Sequence, residues 1–358
     1  MTLTQEKHEL ARWIEAAIGI ELSTIPPYMM ALISIKPGHN RQAANLIRGV
    51  MMEEMLHLSL AGNLLSSIGG KLRFGPENIP SYPLTLKFDG KGFKHREFEV
   101  DLQAFSAASI ESFTEIELPD GWQDPQARLK ASAEMTVHGY TIGEFYLKIL
   151  HHLERVCREH GEAQVFTGDP ALQLNVNHYW AGGGQPIVIR DLASARRAIE
   201  LIITQGEGTP SSVFDDDKRY FDQPQDVAHF FRFREIQFGR LYRPLDDPYS
   251  PPTGEQFDVD YGAAYPIWKN PRQSDYAGDP QMAALNQQFN AYYSLMLVQI
   301  ADSLNGSPDA AYTAILNSMH GMTGVAMQMV ALPVAGDGQG RHGAPSFEWV
   351  EPVSSAKG

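Results

Sequence analysis

The chain has 358 residues, of which 43% are hydrophobic and 20% are charged, the composition of an ordinary globular protein. Its net charge of −14 argues against a nucleic-acid partner or an anionic membrane surface, since both require a concentrated basic face. The single cysteine, Cys157, excludes an intramolecular disulfide and a cysteine-based zinc or iron–sulfur site.

The N-terminal segment gives the first indication of location and structure. It is polar and lacks the apolar stretch of a signal peptide, and no apolar run approaches the roughly 20 residues of a membrane span. The sequence therefore predicts a cytoplasmic protein. Apolar residues spaced three and four apart predict a first helix over 6–34, in which Pro26 and Pro27 should bend the helix or interrupt its hydrogen bonding.

A second helix is predicted over 40–68 and is followed by a change of pattern. Residues 71–104 alternate like short strands between Gly/Asp turns, which predicts a small β insertion. A short helical piece over 109–119 precedes a long third helix over 125–160. This stretch is therefore predicted to contain one small β insertion followed by helices.

The rest of the chain is helical with long loops. Helices are predicted over 191–208, with Asp191 as the N-cap, and over 225–239, 281–304 and 308–332. The fold class is mainly α: a four-helix bundle with a small β insertion between helices 2 and 3 and two additional C-terminal helices. We expect one domain, 1–358, with the bundle core at about 6–70 and 125–240 and the C-terminal helical part at about 281–332.

Ionisable residues interrupt the predicted buried faces of the first two helices. In the second helix, Ile47 and Val50 begin a seam of three- and four-residue steps on which Glu54 and His57 also fall. Glu21 interrupts the apolar stripe of the first helix in the same way. Burial of such groups is costly without a partner. They therefore form a buried ion pair, or reach solvent, or hold a metal ion.

Two-metal centres in helical bundles take one Glu from each of two helices and Glu-x-x-His from each of the other two. That template calls for further ligands, and the candidates are Glu144 in the third helix and Glu207 at the end of the fourth. No histidine follows Glu207 by three residues, so His229 would complete a motif split by an insertion. Without the template, Glu207 is a loop carboxylate and His229 a core histidine.

Seven short motifs run in one order along the chain: IELSTIPPY (20–28), EEMLHLSLAGNLLSSIGG (53–70), FTEIELP (113–119), IGEFY (142–146), QGEGT (205–209), HFFRFREI (229–236) and GAPSFE (343–348). In these motifs the chain resembles the ferritin-like domain of the iminophenyl-pyruvate dimer synthase type, as a stand-alone bacterial member. The resemblance implies a ferritin-like four-helix bundle. It also implies metal ligands at Glu21, Glu54, His57, Glu144, Glu207 and His229.

Six oxygen and nitrogen ligands without a thiolate favour two metal ions, iron or manganese, over a structural zinc. A tyrosine beside such a site is a candidate for relaying an electron or orienting a ligand, and Tyr28, Tyr140 and Tyr146 are the candidates. The alternative for each is a packed core aromatic whose hydroxyl has a partner.

The leading functional hypothesis is a di-metal oxidase or oxygenase that activates dioxygen to oxidise a small organic substrate, such as one derived from an amino acid. Oxidative coupling of two imine molecules, which the resemblance implies, and iron storage without a substrate are the alternatives. The long segments 71–104, 161–190 and 241–280 favour an enzyme, because they suit pocket walls better than a cage subunit. The expected partners are the substrate and dioxygen, without nucleic acid or membrane; a homo-oligomer is left open.

Overall fold

A computed structural model describes residues 1–88, 96–119, 141–179, 183–208, 212–215 and 226–352. In these residues the longer helices are α1 (Leu3–Ser34), α2 (Arg41–Ser67), α3 (Ala107–Ile116), α4 (Ile142–His160), α5 (Leu192–Glu207), α6 (His229–Phe238), α7 (Pro280–Leu304) and α8 (His320–Ala331). Two strands, β1 (Leu84–Phe88) and β2 (Arg96–Val100), form an antiparallel pair. The mainly α fold and the small β insertion are confirmed.

Four helices close into a bundle. α1 packs on α2, α2 on α5, α5 on α4, and α4 back on α1. The short α3 and α6 pack on each other, and α6 also contacts α2 and α5. α7 and α8 pair and lie against the outside of the bundle, α7 on α2 and α8 on α1. The two additional C-terminal helices are therefore present as predicted.

α1 runs through Pro26 and Pro27 without ending. Proline has no N–H, so Pro27 cannot donate to the carbonyl of Ser23 one turn earlier. The Tyr82 hydroxyl, from the segment before β1, donates to that carbonyl at 2.7 Å. The expected interruption of hydrogen bonding therefore occurs at this carbonyl, and a side chain from the β insertion satisfies the acceptor.

Helix ends follow the predicted signals at some places and differ at others. Asp191 caps α5 by accepting from the Ser194 N–H at 2.8 Å, as predicted. The last predicted helix, 308–332, is divided: a single turn, Ala310–Thr313, and a π-helical segment, Ala314–Met319, precede α8. Of the predicted helix over 125–160, residues 125–140 lie outside the described part of the chain.

One hydrophobic cluster extends from Leu10 in α1 to Phe347, beyond α8, so the bundle and the C-terminal helices share a core. α1 is long and apolar enough to cross a membrane, and within the described ranges it is the one helix that passes this test. However, 72% of its apolar window is buried inside the protein, which is also the property of a core helix. This observation is therefore weak evidence for a membrane span.

Candidate metal centre

The seams of α1 and α2 bring three ionisable side chains together inside the bundle. Glu21, Glu54 and His57 are each no more than 2% exposed. The Nδ1 atom of His57 lies 3.7 Å from Glu21 Oε2 and 3.7 Å from Glu54 Oε1. The sequence argument for a shared buried face therefore places these groups correctly, and it leaves neither carboxylate exposed to solvent.

His229, the first residue of α6, joins this cluster and is fully buried. Its Nδ1 lies 2.8 Å from Glu54 Oε1 and 3.5 Å from Glu117 Oε2. In neither direction is the atom aligned for a hydrogen bond, so Nδ1 is a buried polar atom without a hydrogen-bond partner. Ligand atoms of Glu54, His57 and His229 all lie within 4.8 Å of one another, close enough to hold one ion. Although a long segment separates Glu207 from His229 in the sequence, the fold brings His229 into the site.

Glu117 belongs to the site although the sequence analysis did not select it. It is the C-cap of α3 and is 5% exposed. A signal was present: Ile110, Phe113 and Glu117 are spaced by three and four residues, which puts Glu117 on the buried face of α3. The predicted helical piece over 109–119 contains this residue, but the sequence analysis took its further carboxylate from the long third helix, at Glu144.

The three buried carboxylates share one arrangement. In each, a neighbouring hydroxyl donates to one oxygen, and the other oxygen faces the histidines. The donors and acceptors are Tyr146 to Glu21 Oε1 at 2.5 Å, Thr24 to Glu54 Oε2 at 2.8 Å, and Tyr28 to Glu117 Oε1 at 2.5 Å. Each carboxylate is thereby fixed in orientation while one oxygen stays directed at the centre.

The two histidines repeat this arrangement with their ring nitrogens. His57 Nε2 lies 3.0 Å from Gln205 Oε1, and His229 Nε2 lies 2.9 Å from Glu53 Oε2. Arg232 in turn binds both oxygens of Glu53, at 2.9 and 3.1 Å. Because each Nε2 has an acceptor, the neutral form of each ring that metal binding requires would keep its proton on Nε2 and carry its lone pair on Nδ1. Such outer partners are typical of histidines that bind metals.

Glu207 closes one side of the site. It is the last residue of α5, and its Oε1 accepts from the backbone N–H of Gly143 at 2.9 Å. A Cβ at Gly143 would lie 2.4 Å from that oxygen, so this approach requires glycine. Gly208, with φ of +75°, ends the helix directly after the carboxylate. Glu207 lines the same cavity as Glu21, Glu54 and Glu117.

Glu144 is not brought to this cavity. It occupies the third position of α4, where its Oε2 accepts from the Thr141 N–H at 3.0 Å while Thr141 Oγ1 accepts from its own N–H at 3.1 Å. This reciprocal pair is a capping box, which accounts for a carboxylate near the start of an apolar helix. Of the tyrosine candidates, Tyr28 and Tyr146 contact site carboxylates, and Tyr140 lies outside the described residues.

Like charges crowd the centre when no cation is present. Burial raises the pKa of Glu54 to about 8, and the carboxylates of Glu117 and Glu21 add to the rise. Burial alone would lower the pKa of His57, but Glu21 and Glu54 outweigh it and raise that pKa. The pKa of His229 is raised well above its usual value for the same reason, with Glu117 the largest contributor after the opposing effect of burial. Divalent cations would replace the protons held here.

A small cavity, about 20 Å³ in volume, adjoins the cluster. It is lined by carboxylates and a histidine and by four isoleucines. Those isoleucines are Ile116, Ile142, Ile202 and Ile203. The site therefore combines hard oxygen and nitrogen ligands with an apolar wall, and it fits iron or manganese better than a thiolate-preferring metal.

The arrangement of carboxylates and histidines on facing helices agrees with a family comparison. The sequence profile of a family described as Ferritin-like matches residues 14–238, more than half of the chain. The chain belongs to the Ferritin-like family. The predicted resemblance is confirmed in this respect, and the matched range contains every residue of the metal centre described above.

Two relatives extend the comparison. This Ferritin-like chain is 24% identical over 394 aligned positions to dichlorochromopyrrolate synthase of Lentzea aerocolonigenes, an enzyme related to the dimer synthase type. The alignment covers 95% of this chain but 36% of the synthase, so the chain spans about a third of that relative's length. A crystal structure of a ferritin-like protein from Caulobacter vibrioides shares the fold, with a TM-score of 0.56, 20% identity, and coverage of 94% and 97% of the two chains.

Proposed function

We propose that the chain is a di-metal oxidoreductase that uses dioxygen to oxidise a small organic substrate. The observation that carries the proposal is the buried Nδ1 of His229, which faces Glu54 Oε1 at 2.8 Å without a hydrogen bond. A nitrogen lone pair and a carboxylate oxygen directed at the same point are the geometry of two ligands for one cation.

Four carboxylates and two histidines would hold the ions, as the two-metal template of helical bundles requires. Glu117 takes the place that the sequence template gave to Glu144. The proposed set is Glu21, Glu54, His57, Glu117, Glu207 and His229. Iron and manganese fit this donor set, and the choice between them is part of the experiment below.

The metal ions, when bound, would supply the redox chemistry of dioxygen. The protein's own groups do the rest. Tyr146 and Tyr28 each donate a hydrogen bond to a ligand carboxylate over 2.5 Å between oxygens, which orients the carboxylate. Burial and the neighbouring carboxylates raise the pKa of both tyrosines well above the usual value, so both hydroxyls keep their protons. The isoleucine wall excludes water from one side of the cavity, which protects reactive species from hydrolysis.

The relative's name, which describes a synthase, and the isoleucines that line the cavity support a small organic substrate. We propose an amino-acid-derived molecule such as an amino acid or its 2-oxo or imino acid. Oxidative coupling of two imine molecules is the second candidate, because the related synthase aligns with nearly the whole chain. Iron storage is disfavoured, since the cavity wall of isoleucines serves no purpose in it.

Anaerobic loading with Fe(II) followed by elemental analysis tests the metal centre. We expect about two ions per chain, and fewer in His57→Ala, whose fold should persist because the hydrophobic core lies mostly elsewhere. Absence of bound metal after loading would overturn the proposal. Oxygen uptake that increases with an added amino acid or 2-oxo acid supports an oxidase, whereas uptake proportional to iron alone supports storage.

A further inference from the structure

A groove lies between α1 and the segment that follows α2, and its volume is about 460 Å³. This is within the size range of small-molecule sites, about 300–1,000 Å³. No residue that lines the groove also lines the metal cavity. The two are therefore separate sites, and the groove has no role in the proposed oxidation.

The groove carries positive charge on a strongly acidic protein. Arg12 projects from α1, and Lys71 and Arg73 come from the segment after α2. The guanidinium groups of Arg12 and Arg73 make no hydrogen bond or ion pair with any residue in the described ranges. In a chain with 43 acidic and 29 basic residues, cations gathered without carboxylate partners indicate a place for an external anion.

The wall that carries two of these cations is held in place by hydrogen bonds. Asn305, at the end of α7, accepts from the Leu72 N–H at 2.8 Å and donates to the Leu72 carbonyl at 2.6 Å. Its own carbonyl accepts from Lys71 Nζ at 2.7 Å. Asn78 donates to the Arg73 carbonyl at 2.5 Å. The backbone around Arg73 is thus fixed before any ligand arrives, which lowers the entropic cost of binding.

Apolar side chains also line the groove. Ile18 from α1 and Leu72 are buried at its floor, and the half-buried Phe74 stands beside Arg73. An ion without an apolar part would leave this surface uncovered. We propose that the groove binds a small organic anion, a carboxylate or a phosphate attached to an aromatic or aliphatic body.

Glu15 also lines the groove and limits the charge of the ligand. Three cations against one carboxylate leave a local excess of two positive charges. The site therefore suits a mono- or dianion and disfavours polyanions such as nucleic acid. Replacing Glu15 by Gln removes the repulsion and should strengthen binding of the same anion.

Calorimetric titration of the purified chain with phenylacetate and phenyl phosphate tests the proposal. We expect both to bind at least about tenfold more tightly than acetate and inorganic phosphate, because the ring covers apolar surface. Benzyl alcohol, which has the ring without the charge, should bind more weakly than either. The preference between the two aromatic anions identifies whether a carboxylate or a phosphate is the natural group.

Amino-acid substitutions test whether the anion binds in this groove. R12A/R73A should weaken phenylacetate binding by at least about tenfold, since charge-assisted hydrogen bonds are lost. Arg41→Ala is the matched control, because Arg41 is also exposed and makes no hydrogen bond or ion pair in the described ranges. It should bind as wild type, and so should His57→Ala at the metal centre. Unchanged binding in R12A/R73A, loss of binding in His57→Ala, or equal binding of acetate and phenylacetate would overturn the proposal.

Discussion

At the scale of single residues, the metal centre is organised by outer partners. Tyr28, Thr24 and Tyr146 each hold one oxygen of a carboxylate, and Glu53 and Gln205 each hold one nitrogen of a histidine. The other carboxylate oxygen or ring nitrogen of each of these side chains faces the centre of the cluster. The outer partners therefore matter for metal binding even though they would not touch the metal.

Glu117 and Glu144 provide the sharpest test of the ligand set. Glu117→Gln should lower the bound metal from about two ions towards one, because a neutral amide is a weaker ligand than a carboxylate. Glu144→Gln should keep both ions and the stability, since Gln also completes a capping box. Elemental analysis and thermal unfolding measure these outcomes. Loss of metal in Glu144→Gln with full metal in Glu117→Gln would restore the original sequence assignment.

Glu53 is expected to position His229. Glu53→Gln keeps the side-chain shape but removes the charge that faces His229 Nε2 and Arg232. We expect metal affinity to fall by about 10- to 100-fold, the usual effect of losing an outer partner. The measurement is metal titration at a temperature where circular dichroism shows a folded variant. An unchanged dissociation constant would mean that Glu53 only neutralises Arg232.

At the scale of helices, three- and four-residue periodicity predicted most elements, because burial of one face dictates that spacing. This periodicity did not identify Glu117, instead of Glu144, as the carboxylate that lines the cavity. Thr141-x-x-Glu144 is a helix-start signal with apolar flanks, and those flanks made it resemble a buried ligand. Glu117 and Glu207 lie at helix ends, where their direction depends on which other helix end lies opposite. For Glu207 this is decided by tertiary packing and is not encoded in local spacing, whereas the spacing of Ile110, Phe113 and Glu117 does indicate burial of Glu117.

The close approach of the end of α5 to the start of α4 depends on Gly143. Gly143→Ala should displace Glu207 and lower metal occupancy, because the new methyl group would lie 2.4 Å from the carboxylate oxygen. Helix propensity favours Ala by about 1 kcal/mol, so the fold should persist. The matched control is Gly324→Ala in α8, where nothing lies within 4 Å of the added Cβ. Full metal content in Gly143→Ala would show that Glu207 moves without consequence.

At the scale of the whole molecule, α1 is also tied to α4 by a buried ion cluster away from the metal centre. His152 and Arg155 bind the Glu6 carboxylate at 2.8 and 2.7 Å. These partners, Arg155 first, lower the pKa of Glu6 to about 2. Glu6, Glu9 and His152 lie close enough to hold an ion, but the Glu6 carboxylate is already paired with the Arg155 guanidinium. We interpret this group as structural.

The pH dependence of stability should reveal this cluster. The pKa of Glu6 is lower in the folded chain than its usual 4.5, so its stabilising effect is complete above about pH 4.5 and is lost as the pH falls towards 2. Glu6→Gln should therefore lower the free energy of unfolding by about 1–3 kcal/mol at pH 7. The difference from wild type should shrink below pH 4.5. Urea unfolding of both proteins from pH 7 to pH 3 measures it, and a difference independent of pH would contradict the assignment.

Three proposed ligands lie at helix ends: Glu117 after α3, Glu207 at the end of α5 and His229 at the start of α6. An ion bound to them would join points that are far apart along the chain, including both ends of the segment between Glu207 and His229. Because the site exists only in the folded chain, the free energy of metal binding adds to the free energy of folding. The protein would then survive proteolysis longer in cells that are replete with the metal than in starved ones.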